Sequence, residues 1–209
     1  MANPLRQMAP PAKACVLEYR FDQEQGEKAM DRSGKENHAS ARDAPLVDGR
    51  DGHKARRFGG KSLIDVGKAK SLSPCAPGWT VSVTFKADKP DGMLVTHGGA
   101  SQGYCLYLQG GKPAWAVRSS RRVATVIGSQ PVGTGWNTLT AMITADKRLV
   151  LLCNGEHVAK GKLHDFITKD PNQGLRIGAN HGSQVISDNP PPGFTGLIES
   201  VQVFNYERP

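Results

Sequence analysis

Three carboxylates stand where a hard cation could tie together distant parts of the chain. Asp22 closes the run ACVLEYRFD, Asp31 opens the turn DRSG, and Glu199 sits in GLIESVQVFN beside the apolar Ile198. If the first and last of these segments are neighbours in the fold, Asp22 and Glu199 repel each other. A bound Ca²⁺ relieves that repulsion and accepts hard oxygen ligands, including a backbone carbonyl at Gly60 of the Gly59-Gly60 turn. The expected calcium set is therefore Asp22, Asp31, Gly60 and Glu199, drawn from separate segments because no EF-hand loop is present. Zinc has no support in the spacing. His38, His53, His97, His157, His164 and His181 form no H-E-x-x-H, and Cys15, Cys75, Cys105 and Cys153 form no CxxC. The four cysteines allow three full pairings, and spacing does not choose among them.

A second group of residues suits an anionic, ring-shaped ligand. Lys86, Arg118, Arg121, Arg122 and Arg148 lie in or beside strand-like runs, and guanidinium groups hold carboxylate or sulfate through paired hydrogen bonds. Trp115 and Tyr107 would supply a flat face for a sugar ring. The chain carries +8 formal charges over 209 residues. Its basic residues are scattered along the sequence, which points away from nucleic acid. Catalysis finds less support. The runs WTVSVTFKA, YCLYL, PAWAV and RLVLLC contain no Asp or Glu, so the two nearby carboxyls a retaining glycosidase needs are missing from them. Tyr104, Tyr107, His97 and Arg118 are residue types that a polysaccharide lyase uses, without a spacing that singles them out.

The elements that must position these residues are short strands. In WTVSVTFKA, Val81, Val83 and Phe85 alternate with Ser82, Thr84 and Lys86, so one face packs and the other is polar. Further strands are expected at 14–22, 38–41, 55–58, 63–66, 92–97, 104–108, 113–117, 123–127, 136–144, 148–153, 157–159, 175–178 and 196–205. Asn154-Gly155 predicts a tight hairpin, because both residues tolerate positive φ. Only Leu163 to Thr168 reads as a helical turn. With 24 Gly, 14 Pro and no sustained helical stripe, the chain predicts an all-β sandwich. It would form one domain from residue 14 to 209, preceded by a flexible tail over 1–13. Trp79, Phe85, Trp115 and Trp136 are expected in or at the ends of the core. The small neighbours Ala114 and Ala116 leave room on the opposite face for a loop or a sugar ring. No apolar run approaches the length of a membrane span.

In order along the chain, EYRFD, DRSGKENHA, ARRFGG, WTVSVTFK, GYCLYLQGGKPAWAV, GWNTLTAMI, LVLLCNGEHVA, LRIGAN and FTGLIESVQVFN resemble the laminin G-like, concanavalin A-like lectin/glucanase superfamily. The likeness is to its bacterial jelly-roll modules and covers Cys15 to Asn205. It implies a jelly-roll β-sandwich whose first and last strands pair, and a structural calcium on the side away from the ligand groove. Glucanases of this superfamily carry E-x-D-x-x-E or E-x-D-x-E on one strand, and this chain departs from them there. The resemblance implies a non-catalytic carbohydrate-binding or accessory module, with an anionic polysaccharide as the natural ligand. The alternatives are a glycoside hydrolase or lyase on the same fold, or a purely structural accessory domain of a secreted sulfatase. The expected partners are a glycan or a neighbouring catalytic domain, with no nucleic acid and no membrane span. The start MANPLRQMAPPAK lacks the apolar stretch of a signal peptide. An extracellular or periplasmic location is therefore expected as part of a longer exported protein.

Overall fold

The computed structural model describes residues 12–24, 26–75, 77–120 and 122–208, without the side chain of Gln23. Apart from Ala12 and Lys13, the expected tail lies outside the described residues. Sixteen strands among them, numbered in chain order, form two sheets. The first sheet runs β14 (Glu156–Lys162), β13 (Arg148–Cys153), β12 (Asn137–Ile143), β7 (Trp79–Ala87), β16 (Thr195–Phe204), β5 (Lys54–Gly59) and β4 (Leu46–Asp48), with β1 (Cys15–Arg20) also paired to β16. The second runs β11 (Arg122–Ile127), β10 (Lys112–Ser119), β9 (Gly103–Gln109), β8 (Gly92–Gly98), β15 (Leu175–Ile177), β6 (Leu63–Gly67), β3 (Ala39–Arg42) and β2 (Lys28–Ala29). All the strand pairings are antiparallel, and β1 pairs with β16 from Arg20↔Ser200 to Cys15↔Phe204. This is the expected all-β jelly-roll sandwich.

Alternation decides which side chains enter the core. Val81, Val83 and Phe85 are fully buried between the sheets. Their neighbours Ser82 and Thr84 face outward and meet Thr140 and Thr138 across the pairing at 3.2 and 3.0 Å. On the same outer face Gln202 Nε2 donates to Glu18 Oε1 at 2.8 Å. Asn154 (φ 52°) and Gly155 (φ 84°) make the expected tight turn between β13 and β14. Leu163 to Thr168 is not a helical turn. Leu163 and Ile167 are drawn into the core and the backbone bends around them.

On the outer face of the second sheet, Cys105, Tyr107, Ala114 and Ala116 form a small apolar cluster covered by Val185. The space left by the two alanines is filled by a loop, not a ligand. Arg118 Nε donates to Val185 O at 2.7 Å and holds that loop down.

Arg56 is a charge inside the sandwich. It is fully buried on β5, as is the Glu24 side chain it meets at 2.8 Å. Its guanidinium also donates to the carbonyls of Ala44, Gly26 and Lys28. A planar, five-donor group thereby satisfies backbone oxygens that two short strands, β2 and β4, leave unpaired near their ends.

Candidate functional site

Three connections meet at one end of the sandwich: the β6–β7 loop, the β8–β9 turn and the β14–β15 loop. Gln102 Oε1 accepts from the amides of Thr168 and Lys169 at 3.0 and 3.3 Å. Ser73 Oγ donates to Asp170 Oδ1, and Cys75 Sγ lies 3.6 Å from the same oxygen. Gly98 is needed where two of these segments touch: its φ is +84°, and a Cβ there would lie 2.7 Å from Pro171.

Between these loops lies a depression of about 270 Å³, lined by Lys68, Lys70, Ser73, His97, Asp170 and Pro171. A second, of about 440 Å³, shares Lys70 and Ser73 with it and extends past Lys35 and Cys75 to Ala14 and Asn205. The two depressions adjoin at Lys70 and Ser73, and the pair is called the end groove. Lys35, Lys68 and Lys70 are exposed and form no ion pair among the described residues. Asp170 is the carboxylate that faces them from the lining, and Ser73 and Cys75 both engage its Oδ1.

His97 forms the floor. It is 3% exposed, its Nδ1 is buried without a partner, and its ring stands edge-on to Tyr104 at 5.4 Å and 85°. Burial, aided by the charge of His181, lowers its pKa to about 3, so the imidazole is neutral at physiological pH. Behind it, Tyr104 packs against Trp79 and Trp115 at 6.3 and 5.3 Å.

The residues expected from sequence are dispersed relative to this groove. Trp115 is fully buried in the main core, which removes it as a surface for a sugar ring. Tyr107 lies under Val185 on the outer face of the second sheet and is equally covered. Alternation explains both: each side chain points into a face that the fold has closed. Arg118 and Arg122 end β10 and begin β11, and Arg148 begins β13 and pairs with Asp146 at 2.6 Å. All three fall at the groove end of the sandwich without lining it. Lys86 is seven residues along β7 from Trp79, roughly 23 Å toward the opposite end at strand rise. Arg121 lies outside the described residues. The lyase-type residues do not converge either. His97 and Tyr104 share a buried contact, while Tyr107 and Arg118 serve the covering loop on the other face. Burial pushes the Tyr104 phenol well above its ordinary pKa, opposite to what a base needs.

The four calcium positions are separated. Asp31 is a turn-capping residue: its carboxylate accepts from the amides of Glu18, Ser33 and Asn37 and from Ser33 Oγ. Gly60 donates its amide to Phe194 O beyond one end of β5, while Asp22 accepts from Lys54 at the other end, roughly 20 Å away at strand rise. Asp22 and Glu199 do share a neighbourhood, since one turn supplies His53 to the first and Arg50 to the second, each at 3.1 Å. Among the described residues no group of three or more His, Cys, Asp or Glu is placed to hold a metal. All four cysteines are free thiols.

Residues 58–209, more than half of the chain, match the family described as the concanavalin A-like lectin/glucanases superfamily. The chain belongs to this superfamily. Solved structures share its fold at low identity. The binding domain of Paraclostridial Mosquitocidal Protein 1 is 16% identical with a TM-score of 0.69, over 94% of this chain and 50% of that one. Domain 4 of AbnA, a GH43 extracellular arabinanase from Geobacillus stearothermophilus solved with arabinotriose, is 18% identical with a TM-score of 0.67, over 92% of each chain. The ligand binding domain of botulinum neurotoxin serotype D, solved with N-acetylneuraminic acid, is 15% identical with a TM-score of 0.68, over 94% of this chain and 48% of that one. The chain thus spans about half the length of the toxin domains and nearly all of the arabinanase domain. No curated protein matches it in sequence. No helix among the described residues is long and apolar enough to cross a membrane.

The groove residues were only partly legible beforehand. Lys68 and Lys70 read as part of a scattered basic run, and Ser73 and Asp170 carried no signal. They belong to segments far apart in sequence that meet only through loop packing.

Proposed function

We propose that this superfamily member is a non-catalytic carbohydrate-binding module of a longer exported protein, and that its ligand is an anionic polysaccharide held in the end groove. The observation that carries the reading is the set of exposed lysines, Lys35, Lys68 and Lys70, which line two adjoining depressions and form no ion pair among the described residues. Among the described residues no Trp or Tyr lines either depression, so the contacts offered there are polar and charge-assisted. The likeness to a domain solved with arabinotriose and to one solved with N-acetylneuraminic acid supports a sugar ligand on this fold.

Calorimetric titration at 0.15 M salt with a uronic-acid polymer, a sulfated polymer and a neutral glucan tests it. Saturable binding of an acidic polymer is expected. It should weaken about tenfold or more in Lys70→Ala, the loss of one charge-assisted contact, and be unchanged in the remote Lys86→Ala. Affinity that tracks polymer charge alone and vanishes with modest salt would mean non-specific attraction, and the accessory-domain reading would replace this one.

Calcium stays in the proposal through Asp22 and Glu199 alone, because Glu199 Oε2 is buried without a partner. Binding to the folded state would raise the melting temperature. A rise of several degrees from excess chelator to millimolar calcium supports the ion; equal melts after verified metal removal dismiss it.

A further inference from the structure

We infer that the half of the groove over His97 is a subsite for a single sugar unit bearing a carboxylate or sulfate, with His97 and Asp170 reading ring hydroxyls and Lys68 and Lys70 holding the acid group. The inference rests on the carbohydrate reading above and adds which part of the ligand is recognised, and how. Three features of the site point to it.

First, His97 is a polar side chain held 3% exposed at the floor of the depression, with Nδ1 unpartnered. Nδ1 itself is closed off, so the imidazole meets a ligand through the small part of the ring that remains open to the depression. The edge-on contact with Tyr104 fixes the ring plane, so the floor does not have to be ordered when a ligand arrives. In a neutral imidazole the nitrogen left open either donates or accepts one hydrogen bond, and a hydroxyl group can answer either. Its low pKa keeps it in that form across ordinary pH.

Second, Asp170 sits at the rim with Ser73 and Cys75 both on Oδ1, which leaves Oδ2 to accept from a ligand hydroxyl. A carboxylate in the wall disfavours a bare anion and favours a group that brings donors along with its charge.

Third, Lys68 and Lys70 line the same depression as exposed cations with no ion-pair partner among the described residues. A ligand with hydroxyls on one side and an acid group on the other meets all four side chains. Inorganic sulfate meets only the lysines, and a neutral sugar only His97 and Asp170.

The test is calorimetric titration of the whole chain with four small probes: glucuronate, a sulfated monosaccharide, glucose and inorganic sulfate. One of the two acidic sugars is expected to bind at least about tenfold more tightly than both glucose and inorganic sulfate, and which one does so distinguishes carboxylate from sulfate recognition. Lys68→Ala and Lys70→Ala, both at exposed positions, should each weaken that binding about tenfold, while Asp170→Asn should narrow the gap to inorganic sulfate. His97→Gln, checked for folding by circular dichroism, should weaken the acidic sugar without changing sulfate. For the wild type, affinity should be flat between pH 5 and 8. Sulfate binding as tight as the better-bound acidic sugar would overturn the subsite, and so would an affinity that climbs on acidification through pH 6.5. Binding of an acidic polymer without measurable binding of either acidic monosaccharide would overturn the subsite but leave the polysaccharide reading standing. Failure of both polymer and monosaccharide would remove the two together.

Discussion

Replacing Arg56 by alanine is expected to destabilise the protein by about 3–5 kcal/mol, measured as a lower urea midpoint at unchanged slope. The side chain is fully buried with Glu24, and its removal leaves the Glu24 carboxylate in the interior without its counter-charge. The same change strips donors from the carbonyls of Ala44, Gly26 and Lys28, and takes the guanidinium from its place 5.3 Å over the Phe21 ring. Glu24 also accepts from the Met30 amide at 2.7 Å, so the chain from Phe21 to Ala29 is anchored through this one pair. Arg56→Lys should recover little, because an ammonium cannot span a carboxylate and three carbonyls with one planar fork. Replacing both partners by apolar residues, Glu24→Met with Arg56→Met, should cost clearly less than Arg56→Ala alone, since no uncompensated charge remains. A loss under about 1 kcal/mol for Arg56→Ala would show that water reaches the pair and that its burial is not what holds the segment.

Acid should destabilise the protein through His97 in particular. With a folded pKa of about 3 against 6.5 when free, the histidine is neutral in the native state. The unfolded chain takes up a proton below pH 6.5 that the folded chain refuses. Stability is therefore complete above about pH 7.5 and falls as the pH drops from 6.5 toward 3, by roughly 2–3 kcal/mol at pH 4.5. Carboxylates add their own pH dependence, so the informative quantity is the difference between the wild type and His97→Gln, which has no titrating group at that position. Unfolding by urea at pH 7.5 and 4.5 should give the variant a smaller acid loss by that amount. Equal losses in the two proteins would mean that the imidazole is solvated and titrates freely in the native state, and would also undercut its role as a fixed floor of the groove.

Much of the strand framework was readable from local pattern. The alternation Val81, Val83, Phe85 against Ser82, Thr84, Lys86 has one stable solution, a half-buried strand, and β7 runs Trp79–Ala87 as that pattern requires. Asn154-Gly155 needs positive φ at both residues and has it. Two short strands, β2 and β4, escaped because their two and three residues lie in a charged, Gly-containing stretch with no apolar alternation to detect. They exist because Ala39–Arg42 and Lys54–Gly59 offer them open edges, a property of the neighbours and not of their own residues.

The site was far less legible, and for a related reason. Alternation shows that a side chain leaves the strand on one face or the other, but not whether that face is open. Trp115 and Tyr107 lie on opposite faces of the second sheet, yet both are covered, one by the facing sheet and the other by the loop carrying Val185. The pairing of β1 with β16 was implied by the family resemblance, and it did bring Asp22 and Glu199 into one neighbourhood. What that pairing could not foretell was that one turn would supply Arg50 to Glu199 and His53 to Asp22. His97 is a polar residue inside the apolar run GMLVTH, a pattern equally consistent with a covered core histidine and a groove floor. What settles the matter is the packing of loops from positions near 70, 100 and 170, which leaves a depression that His97 lines. Sequence alone therefore determined the alternating strands, the tight turns and the superfamily, because each follows from interactions between residues close in the chain or from the order of strands. Only the tertiary structure decided which polar groups share a cavity and which charges remain unpaired. Those depend on how loops distant in sequence come to rest against each other, and no local pattern encodes that distance.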